Sequence, residues 1–259
     1  MQYKGYLIDL DGTMYRGNSP IEGAKEFIQL LQQREIPHMF ITNNASNTPK
    51  AAVEKLSSFG IQTTESHVLT SAIAAANHVK NEHPGANVYM IGGEGLQEAV
   101  EESGLTITSQ SVDYVMVGLD RQLTYDKLAQ ASLLLQEGAN FISTNIDAAV
   151  PTDVGFVPGN GALTKAITFS TGVEPIFIGK PKRIMLDQAM DQMELDRNDV
   201  IMVGDNYDTD IMAGMNANID TLMVLTGVST ESDVQGRKQP TYIEDNLFTW
   251  MDRITSSNV

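Results

Sequence analysis

Four short apolar runs in this chain each end in a polar residue suited to phosphate chemistry. Tyr6-Leu7-Ile8 leads into Asp9, followed by Leu10-Asp11-Gly12-Thr13. Met39-Phe40-Ile41 leads into Thr42-Asn43-Asn44, and Ile176-Phe177-Ile178-Gly179 leads into Lys180. Ile201-Met202-Val203-Gly204 leads into Asp205, with Asp208 and Asp210 close behind. Continuous apolar runs of this length, followed by turn residues, read as parallel strands buried on both faces. In an open α/β sheet the ligand lies outside the carboxyl ends of the strands. The four strand exits therefore predict one site, and its carboxylates, hydroxyl and ammonium suit a divalent cation and a phosphoryl group.

Spacing sets the domain organisation. The stretch between Asp11 and Thr42 has room for one helix and one strand, whereas that between Thr42 and Lys180 is far longer than one crossover needs. If Thr42 and Lys180 share a site, a second α/β domain is inserted between them. The expected division is a discontinuous core of residues 1–80 and 175–259 and an inserted cap of residues 81–174, with its limits in polar or Pro/Gly-containing connections. The fold class is α/β: a Rossmann-like parallel-sheet core with an inserted α/β cap that can close over the strand ends.

Local signals fill in the elements. Ser19-Pro20-Ile21-Glu22 has capping-box spacing with Pro at the first helical position, which predicts a helix running to about Arg34. Thr48-Pro49 opens a second helix, for which Gly60 is the stop. Gly92-Gly93-Glu94-Gly95 lacks the dinucleotide-binding spacing and reads as a tight strand-to-helix turn. A helix capped near Thr124 separates strands Tyr114–Val117 and Phe141–Ser143, and Lys180-Pro181 is expected to start another helix. The four histidines, His38, His67, His78 and His83, show no ligand spacing and read as surface or loop residues.

A formal net charge of -16 argues against nucleic acid and against docking on anionic membranes. It also means that an anionic substrate needs local positive charge, from Lys180 and a metal. Absence of cysteine removes disulfide and thiol chemistry and is consistent with the cytosol. No run approaches the ~18 apolar residues of a membrane span.

Asp9 and Asp11 are two residues apart, so on an extended chain both side chains point the same way. Adjacent carboxylates repel unless a cation binds or one of them holds a proton. One can attack phosphorus to give an aspartyl-phosphate, and the other can pass a proton to the leaving oxygen. Mg²⁺ accepts one or two carboxylates together with waters and substrate phosphate, and Asp205 supplies a carboxylate from another strand. Lys180 offers a compact positive charge, while Thr42 and the Asn43 amide offer hydrogen bonds to phosphate.

Taken together, Asp9-Leu10-Asp11-Gly12-Thr13, Thr42, Lys180 and Gly204-Asp205-Asn206-Tyr207-Asp208-Thr209-Asp210 resemble the haloacid dehalogenase-like hydrolase superfamily. The resemblance implies Asp9 as nucleophile and Asp11 as acid/base. It implies Thr42 and Lys180 as the phosphate-stabilising pair, with Asp11 and Asn43 also binding phosphate, and Asp9, Asp205 and Asp11, the last through its backbone carbonyl, as metal ligands, supported by Asp210. A large α/β cap after the second motif, with Gly118-Leu119-Asp120-Arg121, Thr144-Asn145-Ile146-Asp147 and Pro158-Gly159-Asn160-Gly161, resembles the NagD-like branch. Such relatives hydrolyse small phosphomonoesters such as sugar phosphates, nucleoside monophosphates and p-nitrophenyl phosphate. Ile146 departs from the pattern, since relatives often carry Pro there.

The resulting expectation is a Mg²⁺-dependent phosphatase. A phosphotransferase or mutase, and a non-catalytic sugar-phosphate or nucleotide sensor, are the alternatives. The partner is a small phosphorylated metabolite, and an exposed face of the inserted domain leaves a homodimer open. Asn145 and Asp147 are expected either to contact the leaving group or to form an Asx-type turn that only shapes their loop.

Overall fold

In the computed structural model, which describes residues 3–152 and 154–256, the chain divides into two compact units. The first comprises Met1–Thr42, Lys50–Leu69 and Lys180–Val259, and the second comprises Asn43–Pro49 and Thr70–Gly179. These limits differ from the expected ones. The helix Ser71–Glu82, expected in the core, belongs to the second unit, as does the short segment Asn43–Pro49.

The first unit is built on a six-stranded sheet in the order Tyr242–Glu244, Asp220–Val224, Val200–Gly204, Gly5–Ile8, His38–Thr42, Val68–Thr70. Gly5–Ile8 pairs in parallel with Val200–Gly204 on one side and His38–Thr42 on the other. All four of its residues are buried, as a central strand covered on both faces requires. On one face Tyr6, Ile8, Phe40, Ile201 and Val203 pack with Phe27, Ile28 and Leu31 of the helix Ala24–Gln33. The Tyr6 and Phe27 rings meet edge to face, 5.4 Å between centroids.

That helix starts later than the capping-box spacing predicts. Ser19–Pro20 instead pairs antiparallel with Tyr15–Arg16 around Gly17-Asn18. Gly17 has a φ of 56°, and a Gly-Asn pair in a two-residue loop is a strong hairpin signal that here wins over the helix-start signal. The helix Pro49–Ser58 does open at Thr48-Pro49, and Gly60 follows it at φ 78°.

The second unit has its own five-stranded parallel sheet, ordered Ile176–Phe177, Asn140–Ser143, Tyr114–Val117, Asn87–Ile91, Thr106–Ile107. Ile91, Val115, Val117 and Phe141 pack with Leu134, Leu135 and Ile167 from the helices Tyr125–Gln136 and Asn160–Thr171. Thr124 caps the first of these, its Oγ1 accepting the Lys127 N–H at 3.3 Å. A short hairpin, Ala149–Thr152 with Gly155–Pro158, completes the unit.

The placement of Ile176–Phe177 corrects a central expectation. This run is an edge strand of the second unit's sheet, paired with Asn140–Ser143, and not a strand of the core. Three of the four expected exits thus belong to one sheet, and Lys180 returns to the core by a connection. The helix after it begins only at Ile184.

Candidate active site

Asp9 follows directly on the central strand, and its N–H donates to the Val203 carbonyl at 2.9 Å, which extends the ladder by one residue. Its carboxylate is buried, and Lys180 Nζ lies 2.5 Å from Asp9 Oδ1. The same ammonium lies 2.7 Å from Asp210 Oδ1 and donates to the Ile41 carbonyl at 2.8 Å. An ammonium has three N–H donors. Asp9, Asp210 and the backbone just before Thr42 provide partners for them, so Lys180 ties three elements of the first unit together. Lys180 is 2% exposed and Asp210 1%, while Asp9 keeps 8% of its surface open to solvent.

Asp205 ends the neighbouring strand, also buried, and receives the Val228 N–H at 2.6 Å on Oδ2 and the Thr13 hydroxyl at 3.4 Å on Oδ1. Gly12 and Gly227 wrap closely around it, and a Cβ at either position would collide with its carboxylate. Gly12 also has a φ of 101°, which a side chain would strain. Thr226 Oγ1 donates to the Gly12 carbonyl at 2.7 Å, locking the two glycine segments to each other. Asp210 is seated in the same way: a Cβ on Gly204 would strike it, and its Oδ2 accepts the Asn206 N–H at 3.1 Å.

One oxygen from each of Asp9, Asp205 and Asp210 lies within 4.8 Å of the others. Three buried carboxylates facing one ammonium leave an excess of negative charge. Burial, and after it the charge of Asp210, hold the Asp9 carboxyl well above the usual carboxylate range, with Lys180 opposing. The same causes push Asp205 up to about 6. Burial alone would lower the Lys180 ammonium, but the Asp210 and Asp9 carboxylates outweigh it and raise it above its usual value. An all-oxygen, anionic, pre-formed pocket of this kind fits a hard divalent cation.

The remaining expected residues take different positions. The Asp11 side chain is exposed, on the turn where Gly12 N–H donates to the Tyr15 carbonyl at 2.7 Å. It lies outside the three-carboxylate group, while Asp210, expected only in support, is part of that group. The buried Tyr15 phenol is raised by burial and then by the charges of Asp11 and Asp9. Thr42 is half-buried at the end of its strand. Asn43 belongs to the second unit, where its Nδ2 donates to Asp147 Oδ1 at 3.4 Å. Asp208 turns outward and pairs with Arg237. Asn145 Oδ1 accepts the Asp147 N–H at 3.1 Å, which is the Asx-type turn. His38 is a correction, because it lies buried on the strand His38–Thr42, stacked on His67 at 5.3 Å between centroids.

Gly227 and Val228 escaped the sequence reading. They follow the strand Asp220–Val224, which neighbours the Asp205 strand, and the strand-exit argument applied there would have found them.

A haloacid dehalogenase-like hydrolase family model matches residues 6–106, and a HAD-hydrolase-like model matches residues 177–249. The chain is 51% identical over 253 residues to the 5'-nucleotidase YutF of Bacillus subtilis (strain 168), covering 97% of this chain and 99% of the relative. It is 52% identical over 240 residues to an acid sugar phosphatase of Staphylococcus aureus (strain MRSA252), covering 92% and 93%. Among solved structures, a mutant of a thermostable p-nitrophenylphosphatase from Bacillus stearothermophilus superposes with a TM-score of 0.89 at 48% identity, covering 96% and 98%. The chain belongs to the haloacid dehalogenase-like hydrolase superfamily, in its NagD-like phosphatase branch. Its class is that of a phosphoric monoester hydrolase.

Proposed function

We propose that the protein is a Mg²⁺-dependent phosphatase of small phosphomonoesters that works through an aspartyl-phosphate on Asp9. The observation that carries this reading is the Asp9 carboxylate at the end of the central strand, held by Lys180 at 2.5 Å and grouped with Asp205 and Asp210. The Asp9 carboxylate forms a bond to phosphorus as the bond from phosphorus to the leaving oxygen breaks. Asp11, exposed and therefore accessible to solvent and substrate, gives that oxygen its proton. In the second step Asp11 takes a proton from water, whose oxygen attacks phosphorus. The bond to Asp9 breaks, releasing inorganic phosphate and restoring both carboxyl groups.

Lys180 orients Asp9 and supplies positive charge beside it, and Thr42 offers its hydroxyl to phosphate. Asn43, the residue after Thr42, is assigned to the same phosphate-binding segment. Asp9, Asp205 and Asp210, with the Asp11 backbone carbonyl, would hold the cation. When bound, Mg²⁺ offsets the carboxylate charge and that of the incoming phosphate. Sugar phosphates, nucleoside monophosphates and p-nitrophenyl phosphate are the substrates assigned, by likeness to relatives named for those activities. Among the described residues no helix is long and apolar enough to cross a membrane. A homodimer is supported by the exposed Tyr125, Leu133 and Phe169 of the second unit, and sedimentation velocity tests it.

The decisive experiment is hydrolysis of p-nitrophenyl phosphate with Mg²⁺. Asp9→Asn keeps the side-chain shape and removes the nucleophile, so turnover should be lost. Asp11→Asn should lower kcat roughly 10²–10⁴-fold. Turnover by purified Asp9→Asn within tenfold of the wild type would end the proposal.

A further inference from the structure

Two of the places where the chain passes between its units adjoin residues assigned to the phosphate: Thr42–Asn43 and Gly179–Lys180. A single loop of the second unit, Thr144 to Asp147, grips the backbone at both. On one side Ile178 N–H donates to the Ser143 carbonyl at 3.0 Å and Gly179 N–H to the Thr144 carbonyl at 2.8 Å. On the other, Asn145 Nδ2 donates to the Asn43 carbonyl at 2.8 Å, and Ser71 Oγ donates to that same carbonyl at 2.7 Å. The packing is close enough that a Cβ on Gly179 would lie 2.6 Å from the Thr144 carbonyl oxygen and 2.7 Å from Asn43 Oδ1.

The loop is itself braced from beneath. Asn160, at the start of its helix and buried, donates from Nδ2 to the Asn145 carbonyl at 2.9 Å, with Ser143 Oγ at 3.0 Å and Thr144 Oγ1 at 3.2 Å. Asn145 is 5% exposed. Its oxygen takes the Asp147 N–H and its amide the Asn43 carbonyl, so both ends of the side chain have protein partners.

We infer that Asn145 is a positioning residue for the phosphatase reaction. It pins the Asn43 carbonyl to the loop that also holds the Gly179 backbone, and so fixes the points from which Thr42 and Lys180 depart relative to each other. The Asn43 and Gly179 ends of the two crossings, far apart in sequence, are thereby held by one loop. A misplacement of about 1 Å far from the chemistry can cost 10²-fold in rate, so a donor that fixes backbone this close to both residues should act on turnover. This inference rests on the assignment of Thr42 and Lys180 to the phosphate.

The test uses the full-length protein, Mg²⁺ and p-nitrophenyl phosphate, with kcat, KM and the thermal midpoint measured on the same preparations. Asn145→Asp keeps the acceptor for the Asp147 N–H but turns an oxygen toward the Asn43 carbonyl. Ser71→Ala removes the other donor to that carbonyl and keeps the question answerable if the first variant fails to fold. Asn145→Asp should lower kcat roughly 10–100-fold with little change in KM, at temperatures well below its midpoint. Ser71→Ala should lower kcat less, and the double variant should lose less than the product of the two, because both act on one carbonyl. A fallen midpoint with unchanged kcat would make Asn145 purely structural, and a change confined to KM would make it a substrate contact; either overturns the inference, as would fully multiplicative losses. Asp9→Asn serves as the control that separates the two readings. If it stays active, the site assignment fails; if it is inactive while Asn145→Asp turns over normally, only the positioning role fails.

Discussion

Replacing Lys180 by Met tests the buried charge cluster directly. Met fills much of the space of the lysine stem but leaves Asp9, Asp210 and the Ile41 carbonyl without the ammonium that lies 2.5, 2.7 and 2.8 Å from them. Removing one partner of a buried ion pair costs about 3–5 kcal/mol, because an uncompensated charge remains behind. For a chain of this size roughly 2–4 °C of midpoint is lost per kcal/mol, so Lys180→Met should melt about 6–20 °C below the wild type. The assay is thermal unfolding in EDTA at pH 7.5, so that no cation substitutes for the ammonium. Acid should narrow the gap. Lys180 is the neighbour that lowers the Asp9 carboxyl, and without it the folded-state value rises further above the unfolded value near 3.8. The penalty for a raised carboxyl sets in as pH climbs from the unfolded toward the folded value, and it disappears as pH falls again. Adding Asp210→Asn to Lys180→Met should recover part of the loss, since one stranded charge goes with it. A Lys180→Met protein melting within 2 °C of the wild type at pH 7.5 would refute the cluster as a stabilising unit.

Other outcomes follow from the same geometry. Burial lowers the His38 imidazole below its ordinary 6.5, so the unfolded chain takes up a proton that the folded one resists, and stability should fall as pH drops below about 6.5; His38→Phe should flatten that part of a urea-midpoint profile. Gly227→Ala should lower kcat about 10²-fold while leaving the far-UV circular dichroism unchanged, because its Cβ displaces the Asp205 carboxylate and not the core. Mg²⁺ at about 100 times its dissociation constant should stabilise the wild type by about 2.7 kcal/mol in a melting assay, and Asp205→Ala should abolish the shift.

The positions of Asp9 and Asp205 were legible because each follows a run of buried residues that admits few alternatives. Gly5–Ile8 and Val200–Gly204 are buried at every position, and their exits carry Asp9 and Asp205. The same signal could not tell which sheet a run joins. Ile176–Phe177 reads like a core strand, yet it is a partly exposed edge strand paired with Asn140–Ser143, since a short apolar run fixes neither its own burial nor its pairing partner. The competition at Ser19-Pro20 between helix start and hairpin was settled by a two-residue turn whose partner strand, Tyr15–Arg16, is too short to show periodicity. The Asn145–Asn43 bond depends on a contact between residues distant in sequence, and local spacing carries no trace of it.

The interrupted core also dictates an order of events during synthesis. Gly5–Ile8 leaves the ribosome long before one of its two neighbours in the sheet, Val200–Gly204. The second unit, complete by Gly179, holds nearly all of its own sheet partners within one continuous stretch. Short-range pairings close quickly, whereas long-range parallel ones are slow. The nascent chain therefore carries a finished inserted unit while the strand leading to Asp9 waits with one edge unpaired, a period in which a chaperone that shields apolar edges has the most to protect.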